Sequence, residues 1–282
     1  MTNEVIYLKD RFPFLGEEGR NPNVTLYLPD PMWEMGRGNK KRPCLVVCPG
    51  GGYGMCSQRE AEPIAFHFLP QGYNVFVIRY SVAPHRFPNQ LREVAAVMEL
   101  IYENAEQWHC DTSRVAIMGF SAGGHLAAHY STCYDIPEVR QVFPDSKPVH
   151  ASILCYPVIS AVPGIAHGGS FENLLGQFPL SPAQTERFSC DRLVSEKTPP
   201  AFLWHTSQDS AVPVKNSLLY TGAMAEHGVP FELHVFPYGY HGMSSCTRET
   251  LAGEITKGMA HAQHWMAESC RWLRLCWPDE NQ

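Results

Sequence analysis

The sequence of 282 residues predicts an α/β fold: a mostly parallel central sheet with helices on both faces and a short cap-like insertion at about 160–198. Three observations predict it. From Cys44 onward, apolar runs alternate with segments of helical periodicity, and strand–helix–strand units of that kind make parallel sheets joined by right-handed crossovers. Several of the runs, Cys44-Leu45-Val46-Val47-Cys48 among them, are continuously apolar, as in strands buried on both faces. At Gly119-Phe120-Ser121-Ala122-Gly123 an apolar strand pattern turns abruptly into a small-residue helix pattern. No repeat, low-complexity tract or linker divides the chain, so one domain spanning 1–282 is expected.

In chain order, strands are expected at 5–8 and 23–28, the second stopped by Pro29. Residues 29–43, with their glycines, prolines and basic side chains, read as an exposed connection. The strand at 44–48 runs into Pro49-Gly50-Gly51-Gly52-Tyr53. Ile64, Ala65, Phe68 and Leu69 recur at helical spacing over 59–71, and Gly72 ends that helix. A buried strand follows at 74–80, then a proline-bearing loop at 81–88. The next helix spans 90–108, with Leu91, Val94, Ala95, Val97, Met98 and Ile101 as its core face. The strand at 114–120 leads through Ser121 into a helix beginning at Ala122. Another strand is expected at 149–156. The mixed stretch at 160–198 should hold short helices, and connections of that length are often functional. A strand at 201–206 leads to a loop through Asp209, and a helix at 214–226 ends at His227-Gly228. The last strand, 231–236, is followed by the loop bearing His241, and a helix over 249–275 closes the chain.

A content of 44% hydrophobic and 18% charged residues is that of a globule with a large core. The net charge of −6 provides no basic footprint and argues against nucleic acid as a partner. Met1-Thr2-Asn3-Glu4-Val5 lacks the basic start and apolar core of a secretory signal, and no apolar run reaches bilayer length, so no membrane association is expected. The ten cysteines are scattered without a Cys-x-x-Cys pair and fit a reducing, cytoplasmic setting. Cys155, in Ile153-Leu154-Cys155-Tyr156, reads as a small buried hydrophobe. Small neutral molecules are the expected partners. Oligomeric state is not legible.

Ligands of parallel sheets gather at the carboxyl ends of the strands. Four loops leave strands there, carrying Gly50 to Tyr53, Ser121, Asp209 and His241. Glycines two residues either side of Ser121 permit a sharp strand-to-helix turn that exposes its hydroxyl; the plainer alternative is a serine that caps the helix. A serine hydroxyl needs an imidazole to take its proton, and the imidazole needs a carboxylate to fix its tautomer. The chain order Ser121, Asp209, His241 suits a nucleophile elbow on this topology. Asp209 also fits a turn residue bonded to its own backbone, and His241 a surface-loop histidine. His205 competes as the base but lies within an apolar strand, which suits a structural hydrogen bond better. His125 and His129 have the i, i+4 spacing of a metal pair, yet no adjacent glutamate or third ligand accompanies them. The backbone amides of Gly51, Gly52 and Ala122 are candidates for an oxyanion hole. A phosphate loop would need a following Gly-Lys-Ser/Thr, which is missing.

With these residues in view, the chain resembles the α/β-hydrolase superfamily over nearly its whole length, and within it the bacterial acetylxylan esterases and feruloyl-esterase-like carbohydrate esterases. The resemblance rests on Gly119-Phe120-Ser121-Ala122-Gly123-Gly124-His125-Leu126, Pro49-Gly50-Gly51-Gly52-Tyr53, Tyr80-Ser81-Val82-Ala83-Pro84, and Pro199-Pro200-Ala201-Phe202-Leu203-Trp204-His205-Thr206 with Asp209 and Val212-Pro213. It implies a Ser121–His241–Asp209 triad, no metal or organic cofactor, and acyl-enzyme hydrolysis of short esters, acetyl groups on sugars such as xylo-oligosaccharides included. Pro49 departs from relatives that carry histidine ahead of the glycines, which bears on loop geometry more than on chemistry. The missing signal favours imported acetylated oligosaccharides over polymeric xylan. The alternatives are a peptidase or amidase using the same triad, and a non-catalytic small-molecule-binding protein on the same fold.

Overall fold

The computed structural model describes residues 1–277. Its eight strands are β1 (Thr2–Tyr7), β2 (Asn23–Leu28), β3 (Arg42–Cys48), β4 (Asn74–Arg79), β5 (Cys110–Phe120), β6 (Ala151–Cys155), β7 (Ala201–Thr206) and β8 (Phe231–Phe236). They form one sheet in the order β1-β2-β4-β3-β5-β6-β7-β8. The pairs β1–β2 and β2–β4 are antiparallel and all others are parallel. The connections carry helices α1 (Leu8–Arg11), α2 (Glu62–Phe68), α3 (Asn89–Glu103), α4 (Ala122–Cys133), α5 (Pro137–Arg140), α6 (Gly168–Leu175), α7 (Pro182–Phe188) and α8 (Lys215–Glu226), and α9 (Lys257–Ala262) and α10 (Trp265–Cys276) follow β8.

Because successive strand side chains point to opposite faces, each continuously apolar strand feeds two cores. Cys44, Val46 and Cys48 pack with Val115 and Ile117 beneath Val94 and Met98 of α3, Leu126 of α4 and Tyr220 of α8. Leu45 and Val47 pack with Ala116, Met118 and Phe120 against Ile64 and Phe68 of α2 and Trp265 and Leu273 of α10. On that second face Trp204 stacks on Trp265, with centroids 5.2 Å apart and planes 18° apart. Burial of such apolar strands on both faces contributes on the order of 2 kcal/mol of stabilisation per large side chain.

Several elements differ from expectation, each for a physical reason. The helix expected over 90–108 ends at Glu103: the side chain of Asn104 donates to Leu100 O at 2.8 Å, competing with the next helical turn. β5 starts at Cys110 rather than near 114 because Cys110 and Asp111 pair with Arg42 and Pro43 of β3. β1 begins at Thr2 because it pairs with β2 up to Leu28. Residues 29–43 are only partly a plain connection; they hold a 3₁₀ turn at Trp33–Met35 and the start of β3. The helix over 59–71 is reduced to α2 between 3₁₀ turns, with prolines near the start of both α2 and the turn that follows. β6 is shorter than 149–156, and Tyr156 beyond it turns to φ 36°. The helix over 249–275 starts only at Lys257 and is two helices, parted at Gln263–His264. Gly253 adopts φ 81°, and Thr256 caps α9 by accepting from the Met259 amide.

The stretch at 160–198 folds as α6, α7 and a 3₁₀ turn at Cys190–Arg192. Helix α7 starts with a reciprocal cap between Ser181 and Gln184. Among the described residues, no helix is long and apolar enough to cross a membrane. All ten cysteines are free thiols.

Candidate active site

At the end of β5 the chain turns through Ser121, which sits at φ 53°, ψ −119°. A β-unbranched side chain held at positive φ is a strained position that needs external support. The Ser121 amide donates to Cys155 O at 3.0 Å, and its carbonyl accepts from the Val158 amide at 3.0 Å. The glycines make the turn possible by close approach. A Cβ on Gly123 would run into the carbonyl oxygens of Cys48 and Pro49, and one on Gly124 would lie 2.7 Å from Pro157 Cβ. Ser121 makes no side-chain cap bond to α4, so the helix-cap alternative fails.

The Ser121 hydroxyl donates instead to His241 Nε2 at 2.7 Å. His241 Nδ1–H donates to Asp209 Oδ2 at 2.6 Å. The three side chains thus form one row, although Ser121 and His241 are 120 positions apart. Asp209 also fills the turn role: its Oδ1 accepts from the amides of Ala211 and Val212 at 3.0 and 2.8 Å. Burial opposes its charge, but hydrogen bonds from His205, His241 and the Val212 amide prevail and hold its carboxyl well below the usual range. The His241 loop is anchored where Thr206 Oγ1 donates to Gly239 O at 2.9 Å. Gly239 at φ 140° and Gly242 at φ 81° allow the tight path on either side.

His205 is fully buried and has a structural place. The Ser217 hydroxyl donates to its Nδ1 at 2.8 Å, and its Nε2–H reaches Val212 O at 2.9 Å and Asp209 Oδ2 at 3.3 Å. His125 is likewise occupied at both nitrogens: Tyr53 O–H donates to Nδ1 and Nε2–H donates to Phe188 O, both at 2.9 Å. Burial pushes it down to about 4. His129 packs between the rings of Phe87 and Phe188, and burial beside His125 lowers its basicity too. With His125 saturated by internal partners, the pair does not form a metal site.

The glycine loop lies beside the elbow, a Cβ on Gly50 falling 3.0 Å from Ser121 Cβ. Gly51 and Gly52 take φ 124° and 64°, and their amides donate to no group among the described residues. Ala122, as the first residue of α4, also has an amide without an intrahelical acceptor. Tyr80 O–H donates to Pro49 O at 2.6 Å, so the loop is fastened at the position where relatives were expected to carry histidine.

Two groups at this edge escaped the sequence reading. Glu60 is buried, at 2% exposure. Its Oε2 accepts from the Gly50 amide at 2.8 Å and its Oε1 from Tyr156 O–H at 2.7 Å. The Tyr156 oxygen in turn accepts from the Ser244 amide at 2.9 Å, and the Tyr156 ring lies edge-on to His241 with centroids 5.1 Å apart. One carboxylate therefore joins the glycine loop to the histidine loop. The other group is His167, just ahead of α6, half-buried beside Gly52. A buried glutamate among Gln58-Arg59-Glu60-Ala61-Glu62 has no local mark distinguishing it from a solvated one, and His167 sits in a segment without clear periodicity.

Comparison with known proteins gives the same kinship. The family model described as BD-FAE matches residues 32–224. The chain is 34% identical over 264 residues to an endo-1,4-beta-xylanase B of Butyrivibrio fibrisolvens, aligning 89% of this chain and 39% of that protein. It is 34% identical over 232 residues to an acetylxylan esterase of Xylanibacter ruminicola, aligning 81% of this chain and 45% of that one. The chain therefore spans less than half the length of these two relatives. The crystal structure of an acetyl ester-xyloside bifunctional hydrolase from Caldicellulosiruptor lactoaceticus superposes with a TM-score of 0.81 at 34% identity, covering 96% of each chain. The matched region starts ahead of β3 and takes in the glycine loop, the elbow and most of α8, and on this ground the chain belongs to the BD-FAE family, on an α/β-hydrolase fold.

Proposed function

We propose that this chain is a carboxylic ester hydrolase that removes short acyl groups, acetyl foremost, from sugars of the xylo-oligosaccharide kind. The observation that carries the reading is the row Ser121 Oγ–His241 Nε2, 2.7 Å, and His241 Nδ1–Asp209 Oδ2, 2.6 Å, at a strained elbow. In this mechanism His241 takes the Ser121 proton as Oγ attacks the ester carbonyl carbon. The carbonyl oxygen becomes an oxyanion facing the amides of Gly51 or Gly52 and Ala122, each such donor contributing about 3 kcal/mol. Collapse expels the alcohol, which takes its proton from His241 and leaves acetyl-Ser121. Water, deprotonated by His241, then attacks the acyl carbon and releases acetate. Asp209 stays ionised throughout, keeping Nδ1 protonated and stabilising the imidazolium.

The sugar part of the reading draws on kinship with an acetylxylan esterase and with an acetyl ester-xyloside hydrolase. Hydrolysis of p-nitrophenyl acetate and release of acetate from acetylated xylo-oligosaccharides test it together. Ser121→Ala is expected to lower kcat on both by at least about 10³-fold. Equal rates for wild type and variant would overturn the serine mechanism, and turnover of aminoacyl amides in preference to esters would move the activity to amide hydrolysis.

A further inference from the structure

The row of three leaves one imidazole at the same mouth without a task. His167 lies over the glycine loop, its Cε1 3.8 Å from where a Cβ on Gly52 would be. Its Nδ1 is fixed by the Ser170 hydroxyl at 2.8 Å, and Ser170 is itself buried, at 1% exposure. Helix α6 is tied to that loop as well, because Asn173 Nδ2 donates to Gly52 O at 2.9 Å. The ring is thus held at one nitrogen by Ser170 and stands ahead of a helix that is itself tied to the glycine loop, which an idle surface histidine does not need. Its Nε2 has no partner among the described residues. Burial, and next the positive charge that His241 acquires, disfavour the charged form of His167, with Asp209 acting in the other direction.

We propose that His167 forms a subsite for the alcohol half of the substrate, its Nε2 hydrogen-bonded to a sugar hydroxyl that neighbours the ester. The inference rests on the esterase reading above and names what the cap segment adds to it. A neutral imidazole in this place suits an uncharged, hydrogen-bonding ligand. A hydroxyl both donates and accepts, so it satisfies Nε2 in either tautomer. An anionic group would meet a neutral ring with no charge to offer. An aryl leaving group has no hydroxyl for Nε2 to hold, so selectivity between sugar and aryl acetates should depend on this residue.

The test is the ratio of kcat/KM for an acetylated methyl xyloside to kcat/KM for p-nitrophenyl acetate. For His167→Ala the ratio is expected to fall about tenfold, the equivalent of one neutral hydrogen bond. His167→Gln, which keeps a donor and an acceptor, is expected to recover part of it. A ratio within twofold of wild type in His167→Ala overturns the subsite, whether the two activities stay or fall together, since a structural role would move both alike. If His167→Ala does not fold, the same ratio is read on His167→Gln and His167→Asn; a ratio unmoved in both overturns the subsite. A wild type that cleaves p-nitrophenyl acetate but not the xyloside overturns the sugar reading and the subsite with it, and is distinguished from the first failure by the wild-type rate alone.

Discussion

Asp209 divides its two oxygens between two tasks. Oδ1 accepts from two amides of its own loop, at 3.0 and 2.8 Å, and Oδ2 faces His241 and, more distantly, His205. An aspartate used only as a turn residue would not need the second set. Asparagine preserves the Oδ1 bonds but turns an N–H toward His241, forcing the wrong tautomer. Asp209→Asn is therefore expected to lower kcat on p-nitrophenyl acetate by about 10⁴-fold, while its far-ultraviolet circular dichroism matches wild type. Retained activity would remove Asp209 from the mechanism. At this scale chain order and resemblance already named Ser121, His241 and Asp209 as partners, and the structure supplied the distances that join them. Ser121, Asp209 and His241 could each be picked out from loop position and chain order. Glu60 could not, because nothing in Gln58-Arg59-Glu60 distinguishes a carboxylate bonded to Gly50 and Tyr156 from one in water.

Among the elements, the loops at the carboxyl edge act as a set through Glu60. Its two accepted bonds, from Gly50 N at 2.8 Å and Tyr156 O–H at 2.7 Å, span the loops that present the candidate oxyanion amides and His241. Glutamine can accept at one oxygen only and places an N–H against one of the two donors. Glu60→Gln should reduce kcat by about 10- to 100-fold through loop displacement of an ångström or less, with KM changing by less than about threefold. A loss confined to KM would show that the bridge serves binding alone. The strands at Asn23–Leu28, Ala201–Thr206 and Phe231–Phe236 begin and end where the sequence predicted. Their ends are set locally, by proline, glycine or polar residues at the boundaries. The closing helix starts later than its periodicity predicts, because Gly253 and the Thr256 cap precede it, and it is parted at Gln263–His264, where no proline or glycine marks the boundary.

For the molecule as a whole, the two-faced sheet buries a carboxyl that couples stability to pH. Burial pushes Glu93 of α3 up to about 7, against hydrogen bonds from the Ser81 amide at 2.6 Å and hydroxyl at 2.5 Å. A carboxyl raised on folding stabilises the native state below its unfolded pKa of roughly 4.5, and that contribution is lost as pH rises through 7. The difference in unfolding free energy between wild type and Glu93→Gln should shrink by about 3 kcal/mol between pH 4.5 and pH 8, read from urea unfolding at each pH. A difference independent of pH would show that Glu93 is ionised in the folded state at both. The sequence by itself determined the α/β class, the succession of buried strands and the loops that gather at one edge of the sheet, because burial and backbone dihedrals leave periodic and local marks. Only the tertiary structure decided that Ser121 meets a histidine 120 positions away, that Glu60 meets a tyrosine 96 positions away, and that α6 fastens His167 over Gly52. Those pairings depend on how separate loops close over the sheet edge, a distance in space for which the chain carries no local pattern.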